Sequence, residues 1–296
     1  MNVVLFTVLA GVAGLVFGSF LNVCVSRWPE EKSIVRPRSY CPHCERTLAW
    51  WENIPLLSWL ALRGRCRTCH AWIGWRHLLV ELGVGGLWAF SVWQILIQIP
   101  ELDFADFSYL ALINGIAQMI FIWLLVGLAA IDAEHLWLPD RLIFPGILLG
   151  LGLNLLRGYV DAQSFGGSFD ELKHRTSLAI AFWFLGLVVP AGVVLAIRFL
   201  YRVFRNQEGI GMGDVKLMAM LGGWMGMKIG LLDFAMGVIA AAVFALLLLA
   251  TPSFRANSEK WAQAKLPFGT FLSLAGIVGG FWGNEILAAY MRWGGL

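Results

Sequence analysis

The chain has 296 residues, of which 59% are hydrophobic and only 14% charged, against about 25% charged in an ordinary soluble domain. That balance excludes a soluble globular enzyme, and a formal net charge of +3 gives no footing for a protein built to coat nucleic acid.

A hydrocarbon core about 30 Å thick takes roughly 20 apolar residues as a helix. Eight runs approach this length: 3–26, 78–99, 108–130, 142–156, 176–197, 215–230, 231–250 and 269–291. The fourth and sixth are short, and the border between the sixth and seventh is set near Lys228. Fifteen tryptophans and twenty phenylalanines suit interfacial aromatic belts. Thirty-three glycines suit close helix contacts. The pattern predicts an all-α integral membrane protein, a polytopic bundle of about eight transmembrane helices.

The first run follows Met1-Asn2 with no basic residue before it. A cleavable secretory signal starts with a positive segment, so 3–26 reads as a retained helix. The next loop, 27–77, carries Arg27, Lys32, Arg36, Arg38, Arg46, Arg63, Arg65, Arg67 and Arg76. The positive-inside rule puts that loop in the cytoplasm and the N-terminus outside. Alternating from there, 131–141, 198–216 and 251–268 are also inside, and only Arg157, Lys173, Arg175, Lys228 and Arg292 fall outside them. The loop 100–107 has acids and no base.

Within 27–77 stand CPHC at 41–44 and CRTC at 66–69. Two C-x2-C pairs at this separation read as a metal site, slightly longer than the usual zinc-ribbon spacing. Thiolates of Cys41, Cys44, Cys66 and Cys69 would close a structural, tetrahedral zinc site with no open position. Disulfides do not suit a reducing cytoplasm. His43 and His70 stay outside a shell that four cysteines complete, and Cys24, in the first run, reads as packing. A nucleic-acid zinc ribbon is the rival reading, but topology explains the arginines more simply.

The segment IDAEHLWLPDRL at 131–142 ends the third run with three acids, Asp132, Glu134 and Asp140. Pro139-Asp140 reads as a turn that opens the next helix, with Asp140 its cap. Further on, 157–175 reads as a long polar outer loop. Then comes EGIGMGDVKLMAML at 208–221, in which Asp214 follows Gly209, Gly211 and Gly213 and precedes an apolar run. Glycines allow φ > 0 or an unusually close approach. A capping role is the plain explanation of a single aspartate there.

Two acids facing one cavity have more to offer. Carboxylates a few ångströms apart do not both ionise easily, so one acts as base while the other is an acid. The base deprotonates a water, and the acid bonds the scissile carbonyl and assists departure of the amine. Position alone slightly favours Asp132 over Glu134 and Asp140 as partner of Asp214. The rival class is a transporter or channel with Asp132 and Asp214 as an ion or proton relay; only Asp233 would continue such a path outward. Glu81, near Arg76 and His77, reads as a local salt bridge, with a part in methyl transfer as the lesser alternative.

These pieces resemble the prepilin peptidases, or type IV leader peptidases, integral membrane aspartyl proteases of the GxGD type. GSFLNVCVSRWP at 18–29, the stretch 41–69, IDAEHLWLPD at 131–140 and GIGMGDVKLMAMLGGW at 209–224 carry the resemblance, which covers nearly the whole chain. It implies that Asp132 and Asp214 are the catalytic pair. It also implies the organisation: a first transmembrane helix at 1–26, a cytoplasmic four-cysteine zinc-binding domain at 27–77 and a polytopic peptidase domain at 78–296. The implied substrates are precursors of type IV pilins and of type II secretion pseudopilins, cut at the cytoplasmic face of the bacterial inner membrane. The implied second reaction is N-methylation from S-adenosylmethionine. No glycine-rich fingerprint marks that cofactor's site, so no residue is assigned to it. Two departures stand out: His70 where the family commonly has glycine, and Thr270 of PFGTFL at 267–272 where it commonly has proline.

Overall fold

The computed structural model describes residues 2–97, 109–164, 167–207, 209–250 and 266–294. The chain forms two units, Met1–Ala130 and Ile131–Leu296. No strand occurs among the described residues, and seven helices are long and apolar enough to cross a membrane.

In the first unit, α1 (Val3–Arg27) opens on Asn2, whose side chain accepts the Leu5 N–H at 3.2 Å. α3 (Arg76–Ile97) lies along it. The two come backbone to backbone, since a methyl on Gly14 would stand 2.8 Å from the Gly85 Cα. Small residues make such approach possible where lipid supplies no hydrophobic drive. α4 (Tyr109–His135) is tied to both by indole donors, Trp88 to the Met119 carbonyl at 2.9 Å and Trp123 to that of Phe17 at 3.1 Å.

Between α1 and α3 the chain builds a 3-10 turn at Trp50–Asn53, the short α2 (Leu57–Ala61) and two knuckles that repeat at an offset of 25 residues. Cys41 donates to the Arg46 carbonyl as Cys66 does to that of Ala71, and Leu48 donates to Ser39 as Ile73 does to Gly64. One bridge pairs Tyr40 with Thr47, the other Arg65 with Trp72.

The second unit holds the last turn of α4 with α5 (Asp140–Ser164), α6 (Phe169–Arg205), α7 (Met212–Met225), α8 (Met227–Ala250) and α9 (Phe268–Trp293). α7 is its core helix, packed by α5, α6, α8 and α9 and buried almost throughout from Asp214 to Trp224. Its ends and neighbours are fixed by polar bonds. Trp224 donates to the Gly146 carbonyl at 2.6 Å, and Asn154 donates to those of Gly150 and Gly223 at 2.8 and 3.2 Å.

The helices differ from the predicted runs in three places. α7 has 14 residues, about 21 Å at 1.5 Å per residue, too short to cross the core alone. The border with α8 falls at Gly226, at φ +84°, a conformation that ends a helix cheaply only at glycine. The predicted loop 157–175 is mostly helix, because α5 runs on to Ser164 and α6 starts at Phe169. The acidic loop 100–107 and most of 251–268 lie outside the described residues.

Candidate active site and metal centre

Asp132 stands in the last turn of α4 and is 5% exposed. Its Oδ2 accepts two hydrogen bonds from Thr270, the N–H at 2.7 Å and the hydroxyl at 3.2 Å, and the carboxylate takes a further backbone donor from Gly269. These donors come from the first turn of α9, where orphan N–H groups favour negative charge. Gly269 leaves no spare room: a methyl there would stand 3.1 Å from the Asp132 Cγ and 2.8 Å from the Leu138 Cδ1.

Asp214 enters from the first turn of α7, outside the seven spanning helices, and is 8% exposed. Its Oδ2 accepts the N–H of Gly211, the N-cap, at 3.1 Å. Asp214 is thus not the N-cap itself but the third residue of the helix, where one oxygen reaches back to the cap as the acid of a capping box does. None of Gly209, Gly211 and Gly213 has positive φ, so their value is close approach. A methyl on Gly213 would stand 3.0 Å from the Leu138 Cβ, and one on Gly209 2.8 Å from the Tyr201 ring. Leu138 thus fills the space against both Gly213 and Gly269. Arg198 of α6 secures the same loop by donating to the Ile210 carbonyl at 2.5 Å.

The two acids feel one another. Burial, and next the negative charge of Asp132, push the Asp214 carboxyl up to about 6, against an ordinary 3.8. The other two candidates have different company. Asp140 takes the Lys216 ammonium on both oxygens at 2.8 and 2.9 Å, and Glu134 faces His135 at 3.8 Å. Of the three acids in 131–140, the structure brings Asp132 beside Asp214.

In the first unit, Cys41, Cys44, Cys66 and Cys69 converge, with all four Sγ atoms within 4.8 Å of one another, and could hold a metal ion. Each knuckle turns through a residue of positive φ just after its second cysteine, Glu45 and His70, both at +54°. His70 thus occupies a left-handed position that glycine fills without cost. Arg46 and Glu52 brace the first knuckle with paired bonds of 2.9 and 2.7 Å. The Arg46 guanidinium holds the Glu52 carboxyl below the usual range. Cys24 is buried in α1.

Glu81 departs from its predicted salt bridge. Its Oε2 accepts the N–H of Leu56 at 2.8 Å, with Ser19 and Asn22 as further side-chain partners, while Arg76 reaches Ser26 at 2.8 Å. Leu56 has φ +61°, so a buried carboxylate pins a strained turn at the start of α2. Sequence reasoning missed Thr270 and Gly269 as partners of Asp132, because only the packed fold brings residues so distant in the chain together.

Residues 12–95 match the profile described as Bacterial Peptidase A24 N-terminal domain, and residues 119–248 that of the Type IV leader peptidase family. The prepilin leader peptidase/N-methyltransferase of Stutzerimonas stutzeri is 34% identical over 314 residues, covering 98% of this chain and 96% of that protein. The protein of the same name from Myxococcus xanthus is 40% identical over 249 residues, 83% of this chain and 64% of its own length. The type 4 prepilin-like proteins leader peptide-processing enzyme of Escherichia coli O78:H11 is 33% identical over 294 residues, 91% of each chain. No solved structure matches significantly. With spanning helices, a buried aspartate pair and relatives matched nearly end to end, this chain belongs to the type IV leader peptidase family.

Proposed function

We propose that this multi-pass inner-membrane protein cleaves the leader from type IV prepilins and pseudopilins with Asp132 and Asp214, and then methylates the new N-terminal amine. The observation that carries the peptidase reading is the pair itself: two buried carboxyls so placed that the charge of Asp132 raises the proton affinity of Asp214. Such a pair holds one proton between its members, and the titration belongs to the pair. The ionised member takes a proton from water as that water attacks the scissile carbonyl. The protonated member stabilises the carbonyl oxygen and protonates the departing amine. The donors of Thr270 and Gly269 keep Asp132 in place for this exchange.

The excess of arginine in 27–77 supports a cytoplasmic site that meets substrate from inside. The four cysteines suit structural zinc. Sulfurs about 2.3 Å from a tetrahedral zinc stand about 3.8 Å apart, and Cys41–Cys69 and Cys44–Cys66 are at 3.8 and 3.9 Å. Zinc there would lock the two knuckles together and supply no open coordination position. Methyl transfer uses S-adenosylmethionine as donor, and the names of the relatives support it. A proton or cation relay through the same aspartates has no counterpart among those relatives.

The test is incubation of purified protein with a leader-bearing prepilin peptide, with and without S-adenosylmethionine, read by mass. One cut at the leader boundary, and a gain of one methyl only with the cofactor, is the predicted result. An uncut peptide from folded protein contradicts the reading.

A further inference from the structure

The face formed by Trp59, Trp72 and Trp75 with the turn Arg63-Gly64-Arg65 is not used by the peptidase chemistry. The three rings form one cluster, with centroids 5.8 Å (Trp59–Trp72), 4.9 Å (Trp59–Trp75) and 5.5 Å (Trp72–Trp75) apart. A core cluster of this kind would be covered, yet Trp72 is 47% and Trp75 59% exposed. The turn lies against the rings. A methyl on Gly64 would stand 2.7 Å from Trp72 and 2.8 Å from Trp59, and Arg65 is the bridge partner of Trp72. Arg63 and Arg65 are both exposed, and neither makes an ion pair among the described residues. Trp59 spends its N–H on the Gly74 carbonyl at 3.2 Å, which fixes its ring within the cluster.

The position of this patch names its occupant. Trp75 directly precedes Arg76, the first residue of the spanning helix α3, so the cluster is held where a membrane helix leaves the bilayer. Tryptophan favours that level, with its ring among acyl chains and headgroups. A guanidinium is suited to phosphate oxygens, which it can meet with two parallel donors. We propose that this aromatic and basic face docks on the headgroups of anionic phospholipids in the membrane the chain spans, seating residues 57–75 on the bilayer surface.

The experiment uses the full chain with benzoylphenylalanine replacing Trp72, reconstituted in liposomes of phosphatidylcholine with a minor share of phosphatidylglycerol, then irradiated and read by mass. Phospholipid adducts should form, with phosphatidylglycerol enriched over its bilayer share by roughly fivefold per arginine. In Arg63→Gln/Arg65→Gln the enrichment should vanish while phospholipid adducts persist. The same replacement at Trp75 carries the test if the Trp72 variant does not insert. Cross-links within the chain or to a second copy, in place of lipid, would overturn the proposal, as would adducts without phosphatidylglycerol enrichment in the parent. The readout does not involve cleavage, so it fails or succeeds separately from the peptidase reading.

Discussion

Thr270 aims two donors at one oxygen of Asp132, its N–H at 2.7 Å and its hydroxyl at 3.2 Å. The shorter bond comes from the main chain and survives most substitutions. Thr270→Val should therefore keep the carboxylate oriented and reduce the cleavage rate by no more than about tenfold, the worth of one modest hydrogen bond. Gly269→Ala is the harsher change, because the new methyl would press on the Asp132 Cγ from 3.1 Å. A shift of that carboxyl by a fraction of an ångström should lower the rate on the order of a hundredfold. Steady-state cleavage of a prepilin peptide ranks the two variants, and equal losses would contradict the geometry.

The Asp214 carboxyl is raised to about 6 first by burial and then by the charge of Asp132. Removing the charge removes only the lesser cause. In Asp132→Asn the Asp214 titration should move down from about 6 and stop above the ordinary 3.8. Carbon-13 NMR of labelled aspartate, with Asp214→Asn as the assignment control, follows this directly. An unmoved Asp214 signal would mean that the two carboxyls do not interact.

For the metal centre, the purified chain should hold one zinc, and Cys44→Ser should lose it, because binding and local folding are coupled. His70 refines the test. Its left-handed backbone at φ +54° costs on the order of 1 kcal/mol in a residue with a Cβ. His70→Gly should therefore retain zinc with stability equal or slightly higher, whereas His70→Val should melt lower. Metal analysis and thermal unfolding check both. Loss of zinc in His70→Gly would make His70 a ligand instead.

Asp140 and Lys216 form a bidentate ion pair between the start of α5 and α7, with side chains 51% and 35% exposed. Exposed pairs contribute at most about 1 kcal/mol. Asp140→Asn should accordingly leave cleavage within about fivefold of the parent, far from the loss expected at Asp132, in the same peptide assay.

Much of this was legible along the chain, and the gaps have physical causes. Seven spanning helices follow the apolar runs because a lipid-facing helix must be apolar along its whole length. The short α7 follows its run less closely, since Gly226 breaks the helix inside a stretch that hydropathy alone joins. The helical start of α6 had a local sign that polarity hid: Ser168 accepts the N–H of Glu171, three residues on, the pattern of an N-cap followed by an acid. The cysteine site was readable from spacing. Glu81 was read as a salt bridge from its neighbours in sequence, yet its partner is the Leu56 N–H, a main-chain group with no side-chain signature. The company of Asp132 was equally hidden, because Gly269 and Thr270 reach it only through tertiary packing.

The most direct test is cleavage of a full prepilin by Asp132→Asn and Asp214→Asn proteins, each shown by thermal unfolding to be folded in the membrane. An amide can neither take a proton from water nor share one with its neighbour. Each variant should lose activity on the order of a thousandfold or more. Near-parental cleavage by either folded variant would contradict the paired-carboxylate account.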